Sequence, residues 1–172
     1  FAGEMFNVNA EIQVPSAQPF PILIAALGPN MLRIAGEMAD GTVTWMVGPH
    51  TLKSHIVPRI SAAAEKAGRE QPRICVGVQI AVTDDKKTAY QVASQLFSRY
   101  GNLPSYRRML DIEGSSQPAD LAIIGTEAQI EDQLQALSSA GATDLLAAIF
   151  PADKDAEYSV TRTQDLLKRL VG

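Results

Sequence analysis

Four times along this chain a short β-type apolar run meets a sharp turn and gives way to an amphipathic helical stripe. Ile22-Leu23-Ile24-Ala25-Ala26-Leu27 ends at Gly28-Pro29, and Met31, Leu32, Ile34, Ala35, Met38 and Ala39 then recur at helical spacing until Asp40-Gly41. Thr42 to Val47 is the second run, closed by Gly48-Pro49 and followed by Leu52, Ile56, Ile60, Ala63, Ala64 and Ala67, with Gly68 as the stop and Pro58 expected to kink the helix. Ile74 to Thr83 is the third run. Asp84 and Asp85 open a helix through Tyr90, Ala93, Phe97 and Tyr100, and Gly101 and Pro104 separate it from a shorter helix ending at Gly114. After a polar loop over 114–120, Thr126 and Gln129 have the spacing of a capping box, and the helix they open carries Ile130, Leu134 and Leu137 as far as Gly141. Leu145 to Phe150 is read as the fourth strand, with a final helix over roughly 156–170. Strand–helix alternation of this kind implies parallel strands joined by right-handed crossovers, an α/β chain.

The third run narrows the architecture. Its even positions, Ile74, Val76, Val78, Ile80 and Val82, are all large and aliphatic. Its odd positions, Cys75, Gly77, Gln79, Ala81 and Thr83, are small or polar. The bulky face is expected to meet covering helices and the small face to line a more crowded or wetter space. An open doubly wound sheet and half of a (β/α)8 barrel both use four such units, and the small-faced strand favours the barrel. The organisation expected is a lead-in over 1–21 holding at most a hairpin around Phe6 to Val14, four parallel strands with crossover helices over 22–151, and a closing helix over 152–172.

Composition excludes several classes. Fifteen basic against 19 acidic residues give a net charge of −4, so nothing draws the chain generally to nucleic acid or an anionic membrane. One cysteine excludes an internal disulfide and a cysteine-built zinc site, and no metal site is expected. No stretch reaches the roughly 18 consecutive apolar residues of a membrane span, and a cytoplasmic location is expected.

Chemistry-bearing positions are few. Ala26, Leu27, Gly28 and Pro29 form a turn where a strand ends and a helix begins, a place where free backbone N–H groups favour a phosphate; an ordinary βα connection has the same look. Neither G-x-G-x-x-G nor a Walker loop is present. Trp45 stands near the C-terminal end of the second strand, the end at which α/β ligand sites form, although core packing is the preferred reading of a lone tryptophan there. His50 and His55, five residues apart, lie about 140° round a helix from each other and read as polar helix-surface residues. Asp84 and Asp85 read as helix caps rather than as an acid/base pair, and Cys75 as a small buried residue. Tyr106-Arg107-Arg108 reads as a solvated helix face or as contact for an anionic tail.

The stretch Ala25-Ala26-Leu27-Gly28-Pro29 with Ala35-Gly36-Glu37-Met38-Ala39-Asp40-Gly41, continued by Thr42-Val43-Thr44-Trp45-Met46, Leu103-Pro104-Ser105-Tyr106-Arg107 and Gly141-Ala142-Thr143-Asp144, resembles the bacterial luciferase-like monooxygenase superfamily, in particular its coenzyme F-420-dependent branch. The resemblance implies a (β/α)8 barrel of which 22–151 supply the last four strands. It implies coenzyme F-420, or alternatively flavin mononucleotide (FMN), with its phosphate or ribityl tail held by Ala26, Leu27, Gly28 and Pro29, and Trp45, Met46 and Gly48 facing cofactor or substrate. The activity implied is hydride transfer to or from a small organic substrate. The same resemblance assigns most catalytic side chains to the first four strands, so no catalytic residue is carried over. A C-terminal half-barrel, inactive alone and expected to self-associate or to pair with an N-terminal half, also accounts for the opening Phe-Ala-Gly-Glu without methionine. The other reading is a non-catalytic α/β module binding a phosphate-bearing ligand or a subunit.

Overall fold

The computed structural model describes residues 2–10, 18–152 and 155–171. The strands are β1 (Leu23–Ala25), β2 (Gly41–Trp45), β3 (Arg73–Val82), β4 (Ile123–Gly125) and β5 (Asp144–Ile149), all paired in parallel. The helices are α1 (Pro29–Met38), α2 (Pro49–Thr51), α3 (Val57–Lys66), α4 (Lys86–Phe97), α5 (Pro104–Glu113), α6 (Glu127–Ser139) and α7 (Ala156–Val171). Five strands stand where the sequence suggests four. The addition, β4, is three residues directly before the Thr126/Gln129 capping box, which forms as expected.

Strand β3 is the spine, pairing with β2, β4 and β5. In a strand, a residue's N–H and C=O point to one edge and those of the next residue to the other. Arg73 N donates to Asp40 O and Thr83 N to Gly125 O, so β2 and β4 lie end to end along one edge of β3. Ile74 O accepts from Thr143 N and Ile80 O from Phe150 N, which puts β5 on the opposite edge. Across the sheet the order is therefore β1, β2, β3, β5, with β4 prolonging the line of β2. Above β5 the same edge is finished by a side chain, the Thr163 hydroxyl accepting from Val82 N at 2.8 Å.

The two faces of β3 meet different environments, as their residue sizes require. Ile74, Val76, Val78, Ile80 and Val82 are buried with Leu32 of α1, Ile60 of α3, Ile130 and Leu137 of α6 and Leu166 of α7. On the small face only the C-terminal end is roofed: Ala81 packs with Phe150, Ile124 and the Ala89 and Ala93 stripe of α4. Nearer the start of β3 that face stays open. Ala25 is exposed, and Val43 and Cys75, in register with it, are half-buried. Leu146, the partner of Gly77 on β5, is exposed too. Cys75 is thus not the buried residue expected; it is half-buried on the open part of this face.

The helix expected to kink at Pro58 is interrupted one turn earlier. Leu52–Ile56 is a π turn, and Pro58 falls in the first turn of α3, where its missing N–H is tolerated. The carbonyl that Pro58 cannot serve, Ser54 O, is within 3.4 Å of Arg59 Nη1, which also donates to His55 O at 2.9 Å. The expected hairpin around Phe6 to Val14 falls partly on residues 11–17, outside the described residues. Its described part shows one antiparallel bridge, Ala2 to Asn7. No helix among the described residues is long and apolar enough to cross a membrane, and no cluster of His, Cys, Asp and Glu able to hold a metal occurs among them.

Candidate cofactor groove

The turn after β1 is fastened from behind at successive carbonyls. The Thr42 hydroxyl donates mainly to Ile24 O (2.8 Å) and reaches Ala26 O at 3.4 Å. His55 Nε2 lies 2.8 Å from Leu27 O, and Leu32 N donates to Gly28 O at 3.0 Å. A carbonyl only accepts, so His55 carries its proton on Nε2. The acceptors of the turn are thereby engaged by the protein itself. Its donors are not: α1 starts with Pro29, no side chain caps it, its first turn holds no acidic residue, and the Asn30 and Met31 N–H groups have no helical partner.

Gly28 is extended (φ −80°, ψ 155°), a conformation open to any residue, and a Cβ built there would meet nothing within 4 Å. The fold itself does not demand glycine here. The empty space where a side chain would project is space a ligand could enter. It opens on a groove of about 270 Å³, floored by Ala25, Val43 and Trp45 and closed on its far side by Ser105 and Tyr106. Those two residues begin α5, another helix that starts with proline, lacks a side-chain cap and has no acidic residue in its first turn. Two uncapped helix N-termini thus border one groove, each placing partial positive charge there.

The start of α2 is the instructive contrast. Glu113 accepts from Thr51 N at 2.7 Å and His50 N at 3.2 Å, so that helix end already holds a carboxylate of the chain. A Cβ on Gly48 would lie 2.4 Å from the Glu113 carboxyl, so Gly48 makes room for Glu113. Met46 is also away from the groove. It is 1% exposed, has a positive φ of 58°, and its Sδ accepts from Gln79 Nε2 at 3.2 Å. Of Trp45, Met46 and Gly48, then, the structure brings only Trp45 together with the turn of Ala26, Leu27 and Gly28.

Trp45 lies over Gly77, whose missing Cβ leaves room for the indole; a Cβ there would come within 2.6 Å of Trp45 Cε3. Phe97 and Tyr100 meet the indole edge-on at centroid distances of 6.4 and 6.0 Å, and Tyr106 meets Tyr100 at 5.2 Å. The Trp45 Nε1 is buried and has no hydrogen-bond partner among the described residues. Of the basic cluster, Arg107 is used locally, on Asp111 and the carbonyls of Ser115 and Ser116, while Arg108 is exposed. Asp85 caps α4 as expected, and Asp84 pairs with Arg162, which also holds Glu127.

His55 corrects the expectation of a surface residue. It is 3% exposed, because it lies on the same helical stripe as the buried Thr51, Leu52 and Ile56 and its ring reaches the Leu27 carbonyl. Burial pushes its pKa below the ordinary 6.5, opposed in part by the Leu27 carbonyl and assisted by Arg59 and Arg108. His50, by contrast, is exposed as expected.

Residues 1–144 match the family described as luciferase-like monooxygenase. The chain belongs to that family. Among curated relatives, a 5,10-methylenetetrahydromethanopterin reductase of Methanolobus tindarius is 26% identical over 156 residues, covering 83% of this chain and 47% of the relative. An uncharacterized protein of Mycobacterium tuberculosis is 29% identical over 125 residues, covering 66% of this chain and 37% of that protein. In fold, this luciferase-like chain is similar to an F-420-dependent secondary alcohol dehydrogenase solved with an F-420–acetone adduct, with a TM-score of 0.69, 16% identity, and coverage of 87% of this chain and 48% of that one. The chain spans about half the length, or less, of the relatives it matches, and its strands and helices correspond to about half of a luciferase-like (β/α)8 barrel.

Proposed function

We propose that this chain supplies the tail-binding side of an oxidoreductase that moves a hydride between coenzyme F-420, or FMN, and a small organic substrate. The observation that carries this reading is the turn at Gly28: its carbonyls are tied back, the Asn30 and Met31 N–H groups have no partner among the described residues, and the space in front of it is open. A phosphate ester on a cofactor tail fits such a site, since it brings negative charge and acceptor oxygens to a place offering backbone donors. Coenzyme F-420 and FMN both bear a phosphate on a ribityl-type chain, and relatives of this chain include F-420-dependent glucose-6-phosphate dehydrogenases.

Bound there, the cofactor would bring the redox chemistry. This chain's residues would do the binding and orienting. Asn30 and Met31 would donate to the phosphate, Gly28 would leave room for it, and Val43 and Trp45 would shield the tail from water. Calorimetric titration is expected to show FMN binding that inorganic phosphate competes away, with riboflavin, which lacks the phosphate, at least tenfold weaker. Equal affinity for FMN and riboflavin would remove the phosphate from the site.

The same reading gives a partner. Among the described residues β1 pairs only with β2 and β5 only with β3, so both edges of the sheet offer unpaired parallel ladders. Light scattering is expected to report a species heavier than the 18.5 kDa chain; a clean monomer across concentrations would set self-association aside.

A further inference from the structure

Among the described residues, His55 is the one buried ionisable side chain that touches the back of the groove's turn. It reaches Leu27 O across 28 positions of sequence, from the buried stripe that Thr51, Leu52 and Ile56 share with it. The charged groups facing it are Arg59 of α3 and Arg108 of α5, and both disfavour its protonation. A neutral Nε2–H donor is what the geometry needs: the Leu27 carbonyl is held on the protein side, so its oxygen is kept from the space a phosphate would enter.

We propose that His55 is the positioning residue of the anion site, keeping the Leu27–Gly28 peptide oriented with its oxygen away from the groove and its one N–H, that of Gly28, available. Without this donor the Leu27 carbonyl has no partner in a buried setting and is free to rotate toward the groove, where its partial negative charge opposes a phosphate. The inference rests on the reading of the Gly28 turn as a phosphate site.

The test compares wild type with His55→Leu, which removes the donor, and His55→Gln, whose amide Nε2–H can reach the same carbonyl without titrating. Titrations with FMN and riboflavin are read together with the ¹H–¹⁵N shift of the Gly28 amide, which shares a peptide unit with Leu27 O. His55→Leu is expected to bind FMN about tenfold more weakly, near the riboflavin level, and to move the Gly28 amide, while riboflavin affinity stays unchanged. His55→Gln is expected to stay within about threefold of wild type and to keep the Gly28 shift. Wild-type FMN affinity in His55→Leu, or equal losses in both variants, overturns the role of His55 while leaving the phosphate site standing. A wild type that binds neither FMN nor inorganic phosphate overturns the site itself, and the role of His55 with it.

Discussion

Gly28→Asp is expected to raise stability slightly while weakening FMN binding by far more than tenfold. Gly28 is the N-cap of α1, and its extended backbone is the conformation that capping residues use. An aspartate there would turn its carboxylate onto the Asn30 and Met31 N–H groups, as Glu113 already does for Thr51 and His50 at α2. Replacing glycine by a good capping residue gains a few tenths of a kcal/mol, and a carboxylate on the helix dipole brings the total to about 0.5–1 kcal/mol. For a chain of this size that corresponds to a melting temperature higher by about 1–4 °C. The carboxylate would also fill the space now open before Gly28 and place a like charge against any phosphate. Calorimetry and a urea midpoint read the two effects separately. Retained FMN affinity in a variant whose midpoint has risen would show that the phosphate binds elsewhere.

Gly36→Val is expected to destabilise the fold by about 3 kcal/mol, at the upper end for an overpacked core position. Gly36 is buried where α1 crosses α3, and a Cβ there would lie 2.5 Å from Ile60 O, 2.8 Å from Ala63 Cβ and 3.0 Å from Ala64 N. Two of those three neighbours are backbone atoms, which cannot turn aside as a side-chain end can. The helices must separate, and α1 carries the Asn30 and Met31 N–H groups with it. The variant should therefore lose FMN affinity even at temperatures where it is folded. Urea unfolding with an unchanged slope checks the first effect; a midpoint equal to that of wild type would mean that the crossing relaxes without strain.

Much of the fold is readable in the residues, for reasons that can be named. Strand–helix alternation, the Thr126/Gln129 capping box, Asp85 as a cap and the two-faced pattern of β3 are local signals, each fixed by residues within one turn or one strand. What escapes reading depends on distant partners. Strand β4 is Ile-Ile-Gly, too short to show a period, and it exists because Thr83 N finds Gly125 O, at 2.8 Å, far along the chain. His55 reads as a polar helix-surface residue, and nothing near it in sequence marks the Leu27 carbonyl, 28 positions away, that its buried ring meets. The Glu113 carboxyl sits where a side chain on Gly48 would be, and no local pattern marks that contact, because Glu113 is remote in sequence.

The chain has a single tryptophan, and it lies on the floor of the groove. Its indole is wedged among Gly77, Phe97 and Tyr100, with an N–H that has no partner among the described residues. Intrinsic tryptophan emission from this protein therefore comes from one place only. Any occupant that wets, dries or hydrogen-bonds the groove will shift that emission with no label attached, and a flavin-type ring, which absorbs where indole emits, would quench it by energy transfer. The molecule carries its own optical gauge at the position where its chemistry is expected to be read.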